Sequence, residues 1–99
     1  MNETLMDTAY LVAREQLHAA HLAMCRELEA RCPGADLDPI YHAAVRGRKL
    51  WVTAIDLAEK VWAKSLPYEK ALYILQAQFT DFPTATCERA LGDAYQETR

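Results

Sequence analysis

One segment of the sequence carries residue types that bind metals, at a regular spacing. Glu15, His18 and His21 form the pattern ExxHxxH, and Glu-x-x-His is the spacing with which di-iron helical bundles present two ligands on one face. Such a site also needs a second copy of the motif, which the sequence lacks. Glu15 and His21 would lie about 120° apart around a helix, so one ion would not easily meet all three side chains. We interpret both histidines as partly buried structural residues and expect no metal and no other cofactor.

His21 and Cys25 offer a second candidate chemistry. They are four residues apart, so on a helix the imidazole could contact the thiol and activate it as a nucleophile. A nucleophile also needs oxyanion donors, and N–H groups in the middle of a helix are already used by the helix itself. We therefore interpret Cys25 as a packed cysteine and expect the protein not to be an enzyme.

A basic run, VRGRKLW, is the third candidate site. Its cations Arg46, Arg48 and Lys49, joined by Lys60, would be the phosphate contacts of a nucleic-acid-binding surface. On a helix continuous through Gly47, Arg46 and Lys49 point to solvent and Arg48 points elsewhere, so the basic run is split in space. A helix broken at Gly47 would instead gather the cations on one corner. We expect the continuous helix, because a single glycine costs only about 1 kcal/mol.

Composition limits the remaining possibilities. The chain has 99 residues, 52% of them apolar and 25% charged, which predicts one globular domain over residues 1–99. A net charge of −3 argues against a generally basic surface and makes nucleic acid an unlikely partner. Three cysteines without a CxxC spacing indicate reduced thiols. The first ten residues, MNETLMDTAY, do not resemble a signal peptide, and no run approaches the ~18 apolar residues of a membrane span, so we expect a cytoplasmic protein.

The apolar spacing predicts an all-α fold. Prolines divide the chain, because the residue before a proline avoids the helical region and a proline suits the first helical turn. The predicted architecture is a bundle of about four helices, two long and two short, with antiparallel neighbours; the helices cover residues 4–31, 39–64, 67–79 and 83–97. The first helix is expected to bury a stripe at steps of three and four residues: Met6, Tyr10, Ala13, Leu17, Ala20, Met24 and Leu28.

The second helix has more apolar surface than a core-facing helix needs. Its apolar residues occupy roughly 240° of the circumference, against somewhat over 100° for an ordinary surface helix. Either this helix is central to the bundle, or another chain covers part of it. We expect Trp51 in the core and, because tryptophan and tyrosine are enriched at interface hot spots, we assign Trp62, Ile55 and Tyr41 to a partner or dimer interface.

These observations favour a non-enzymatic helical protein–protein interaction module: an adaptor, regulator or small inhibitor that occupies a partner's surface, with a homodimer as one form. The partner would be another protein or a second copy. A nucleic-acid-associated factor using residues 46–49 is the alternative from another class. A metal-binding or enzymatic role through Glu15, His18 and His21 is the second alternative.

Overall fold

The computed structural model describes residues 3–98. Within that range the chain forms five helices and no strand, so the all-α prediction is confirmed and the predicted helix count is corrected from four to five. The helices are α1 (Glu3–Glu15), α2 (His21–Arg31), α3 (Leu37–Trp62), α4 (Tyr68–Gln78) and α5 (Thr84–Glu97). The chain divides into two compact units, the first ending at Lys49 and the second beginning at Leu50.

The predicted helix over residues 4–31 is two helices, and this is the main correction to the fold. Arg31 and Glu15 form an ion pair at 2.9 Å, whereas sixteen residues of continuous helix would separate them by about 24 Å along the axis. The chain therefore turns back between α1 and α2, which pack against each other. Leu17 and Ala20 lie in this turn, and they are the two positions of the predicted stripe that are not buried.

A tertiary contact, rather than a proline or glycine, accounts for the turn at residues 16–20. In an unbroken helix the Ala19 carbonyl would accept a hydrogen bond from the amide four residues later. Here it accepts one from the Arg48 guanidinium instead. The ladder resumes with the Met24 amide, which donates to the Ala20 carbonyl at 3.2 Å.

Helix α3 is continuous through Gly47, as expected. It begins at Leu37, two residues before the predicted start, and Pro39 lies in its first turn, where no amide donor is needed. At the other end, Lys64 adopts a left-handed backbone (φ 61°). The Ser65 amide then donates to the Lys60 carbonyl at 3.0 Å, which satisfies one of the last carbonyls of the helix.

Prolines mark the starts of the last two helices. Pro67 and Pro83 are the residues immediately before α4 and α5, and both have extended backbones. Their carbonyls begin the new helices: the Ala71 amide donates to Pro67 at 3.0 Å, and the Thr86 amide donates to Pro83 at 3.0 Å. Apolar side chains buried on α4 and α5 include Ala71, Leu75, Cys87, Ala90, Leu91 and Ala94.

The broad apolar arc of α3 separates into buried and open parts. The central stripe is buried at Ile40, Ala44, Trp51, Ala54 and Ala58, so Trp51 lies in the core as predicted. The flank formed by Leu50 and Leu57 is also buried. The opposite flank is exposed or half-buried throughout: Tyr41, Val45, Val52, Ile55 and Trp62. That open flank leaves apolar side chains for which intramolecular packing is incomplete.

Candidate interaction surface

The ExxHxxH residues do not share one helix. Glu15 is the last residue of α1, His18 lies exposed in the turn, and His21 is the first residue of α2. The Glu15 carboxylate is engaged by Arg31, whose hydrogen bond lowers the pKa of Glu15 below its ordinary value. Within residues 3–98, no group of three His, Cys, Asp or Glu side chains is placed to hold a metal ion.

His21 and Cys25 do meet, with the imidazole Nε2 3.4 Å from the thiol Sγ. Burial raises the pKa of Cys25, which favours the neutral thiol, and the tautomer of His21 determines which of the two groups donates. The His21 ring also meets the Tyr41 ring edge-on, at 4.5 Å between ring centroids. A raised pKa disfavours the thiolate that nucleophilic catalysis requires. The His21–Tyr41 contact instead links the start of α2 to the first half of α3.

The basic run is divided by the fold. Arg48 turns inward: besides the Ala19 carbonyl, its guanidinium contacts the Met24 sulfur at 2.8 Å. Its Nε atom is buried and has no hydrogen-bond partner among residues 3–98. Arg46 is half-buried and Lys49 is exposed. Lys60 lies in the second unit, where it pairs with Asp56 at 3.3 Å. The Arg48 guanidinium is therefore engaged within the fold, and it would have to break these contacts to bind a phosphate.

An open apolar groove lies between α2 and the first turns of α3. It has a volume of about 340 Å³. Three of its apolar side chains are largely exposed: Leu22 by 60%, Leu37 by 71% and Tyr41 by 60%. The remaining lining residues are Cys25, Arg26, Glu29, Asp38 and Ile40. We call this surface the α2–α3 groove; of the predicted interface residues, it contains Tyr41.

The rim of the α2–α3 groove carries both signs of charge. Arg26, Glu29 and Asp38 are all exposed, and none of them forms an ion pair with another of the described residues. Arg31, on the same helix, is by contrast paired with both Glu15 and Glu27. The charges beside the groove are thus left available for an external contact.

The other two predicted interface residues lie in the second unit. Trp62 is 40% exposed, and its ring stacks on Tyr95 with centroids 4.3 Å apart and planes at 8°. Its indole N–H donates to the Tyr95 carbonyl at 2.6 Å, and Tyr68 meets the Tyr95 ring edge-on at 5.4 Å. Ile55 is half-buried. The Trp62 side chain therefore packs on Tyr95, and part of its surface is exposed to solvent.

Sequence reasoning missed Leu22 and Leu37 as surface residues. Leu37 precedes the predicted second helix, yet it opens α3 on its exposed side. Leu22 lies inside the predicted helix over residues 4–31 and outside its predicted buried stripe. A signal for Leu22 was available, because a helix places it about 200° from Met24, which is one of the buried residues of α2.

Comparisons with protein-family models, curated proteins and solved structures find no match to this chain. None of the helices in residues 3–98 combines the length and apolarity needed to cross a membrane.

Proposed function

We propose that this protein is a non-enzymatic helical protein–protein interaction module, an adaptor, regulator or small inhibitor that acts by occupying a partner's surface. The α2–α3 groove is its contact surface. The observation that carries the proposal is the clustering of Leu22, Leu37 and Tyr41, three large and largely exposed apolar side chains, around one concave site. Scattered exposed apolar residues are ordinary on a protein surface, but a contiguous patch with a polar rim is typical of an interaction site.

The energetics of the groove agree with this proposal. Fully covering an exposed leucine or aromatic side chain stabilises a complex by roughly 1.5–3 kcal/mol, and because these three are 60–71% exposed, covering them contributes roughly 3–6 kcal/mol in all. Association itself costs on the order of 4–15 kcal/mol. Apolar contacts in the groove therefore supply much of the binding energy without being sufficient alone, and the rim residues Arg26, Glu29 and Asp38 must add to the contact.

Two substitutions at equally exposed positions test the proposal. Leu37 is 71% exposed in the groove, and Tyr73 is 72% exposed on α4, outside it. Both Leu37→Glu and Tyr73→Glu should leave the fold intact, and glutamate in the first turn of α3 is favoured by the helix dipole. Each variant is immobilised, and the proteins it captures from a lysate of the source cells are compared with those captured by the wild type.

We expect a stoichiometric binding partner that Tyr73→Glu retains and Leu37→Glu loses. A partner that both variants retain would show that binding uses another surface. Capture of nothing above background by the wild type, together with a wild-type monomer in solution, would contradict an interaction function altogether.

A further inference from the structure

Arg26 and Glu29, on the rim of the α2–α3 groove, carry opposite charges at a fixed spacing. Arg26 and Glu29 are three residues apart on α2, so they lie on the same side of the helix. Both are exposed, and neither forms an ion pair within the described residues. A surface that carries a cation and an anion side by side is complementary to itself when it is turned through 180°.

We infer that the occupant of the α2–α3 groove is a second copy of this chain, which is related to the first by a two-fold axis. The inference rests on the proposed function and names its partner. In a two-fold interface, residue i of one copy meets residue j of the other, and j meets i. An axis that crosses α2 level with the Glu27–Leu28 bond places each Arg26 opposite Glu29 of the second copy. One register therefore forms two identical ion pairs.

The apolar residues fit the same register. When the two α2 helices run antiparallel about that axis, Leu22 of each copy lies level with Pro33 of the other. Pro33 is in the loop that leads to α3, where the exposed Leu37 opens the next helix. Leu22 of each copy thus lies near one end of the interface, while the ion pairs occupy its middle.

Charge favours a second copy over an unrelated acidic or basic protein. The rim of the groove combines Arg26 with Glu29 and Asp38, so a surface of a single sign would oppose part of it. The net charge of −3 gives only weak repulsion between two copies, since exposed charges more than about 8 Å apart are largely screened at physiological salt. Exposed ion pairs add little affinity, so here they set orientation while the apolar contacts supply attraction.

Sedimentation of charge-reversed variants tests the inference. The variants are Arg26→Glu, Glu29→Arg, their equimolar mixture, and the double reversal in one chain. We expect the wild type to form a dimer and each single reversal to weaken it by about tenfold or more, because like charges then face each other twice. Mixing the two single variants should restore dimers, now mixed, and the double reversal should restore the homodimer. Circular dichroism checks that each variant is folded.

Other results of these experiments would contradict either the second-copy inference or its register. A wild type that is monomeric at about 1 mM overturns the second-copy inference, since even weak association of ~1 mM dissociation constant would be visible there. The proposed function would still stand if a different protein were captured and Leu37→Glu abolished that capture. A dimer unaffected by Leu37→Glu would form elsewhere and would also overturn the inference. Failure of the mixture and of the double reversal to restore association would overturn the Arg26–Glu29 register.

Discussion

Gly47 of α3 lies directly against the backbone of Ala9 in α1. A Cβ atom at position 47 would stand 2.7 Å from the Ala9 carbonyl oxygen and 2.8 Å from its carbonyl carbon. Both distances are far shorter than ordinary contacts, and the atoms concerned belong to a helix backbone that cannot rotate away. The glycine that interrupts the basic run is therefore a helix-crossing residue, as its position in the apolar stripe of α3 indicates.

Gly47→Ala is expected to lower the free energy of unfolding by about 1–3 kcal/mol, because overpacking outweighs the gain of roughly 1 kcal/mol in helix propensity. Urea denaturation measures this change. Gly92→Ala is the matched control: its Cβ would lie 3.7 Å from the Tyr68 hydroxyl, an ordinary contact. That substitution should be neutral or stabilise by up to about 1 kcal/mol. Equal stabilisation by both substitutions would contradict the close crossing.

Arg48 holds the turn between α1 and α2 by donating to the Ala19 carbonyl. Arg48→Met keeps much of the length of the side chain and removes its hydrogen-bond donors, so we expect the free energy of unfolding to fall by roughly 1–2 kcal/mol. Part of the cost is offset, because the substitution also removes the Nε atom, which is buried without a partner among the described residues. Hydrogen exchange should accelerate at residues 16–20. Lys49→Met, at the exposed neighbouring position, should change stability by less than about 0.5 kcal/mol. Similar results for the two variants would show that the turn does not depend on Arg48.

The buried thiol of Cys87 should make the free energy of unfolding depend on pH in the alkaline range. Burial raises the pKa of its thiol from the ordinary 9.0 to about 11, and the thiol donates to the Phe79 carbonyl. The unfolded chain thus releases this proton at a lower pH than the folded chain does. Its contribution to stability is complete below pH 9.0 and is lost as the pH rises toward about 11. Unfolding measured across this range should show the decline.

Cys87→Ala separates that contribution from other titrating groups. The variant should be less stable near neutral pH, because a buried side chain is shortened. Its stability should decline less steeply than that of the wild type between pH 9.0 and about 11. Parallel curves for the two proteins would assign the decline to other groups.

The stacked rings of Trp62 and Tyr95 should be energetically coupled. Trp62→Ala is expected to preserve helix content and to cost about 1–2 kcal/mol, less than a fully buried aromatic, because the indole is partly exposed. Combining it with Tyr95→Ala in a double-mutant cycle should give a coupling of about 0.5–1.5 kcal/mol. A coupling near zero would mean that the stacking contributes no stability. The partner role predicted for Trp62 is tested separately, by partner capture with Trp62→Ala.

Residues that act through local backbone chemistry made much of the fold predictable. Pro67 and Pro83 restrict the backbone on either side of them, and the predicted starts of α4 and α5 lie within one residue of those observed. The apolar period of α3 also predicted Trp51 in the core correctly, because a 3.6-residue period determines which side chains share a face.

The turn at residues 16–20 could not be predicted in the same way. Its sequence, QLHAA, contains neither glycine nor proline, and its backbone is stabilised by Arg48, which lies 29 residues from Ala19 in sequence. A contact at that separation leaves no trace in local periodicity. The α2–α3 groove is formed by packing between α2 and the start of α3, which local periodicity does not reveal.

The most direct measurement of the interaction function is photo-crosslinking from inside the groove. A photoreactive phenylalanine analogue is placed at Leu37 in one preparation and at Tyr73 in another, positions of matched exposure. Each protein is irradiated in the lysate of its source cells and also alone. We predict a discrete covalent adduct, with a second copy or with another protein, from position 37 and none from position 73. No discrete adduct from position 37, or equal adducts from both positions, would contradict the assignment of the α2–α3 groove as the contact surface.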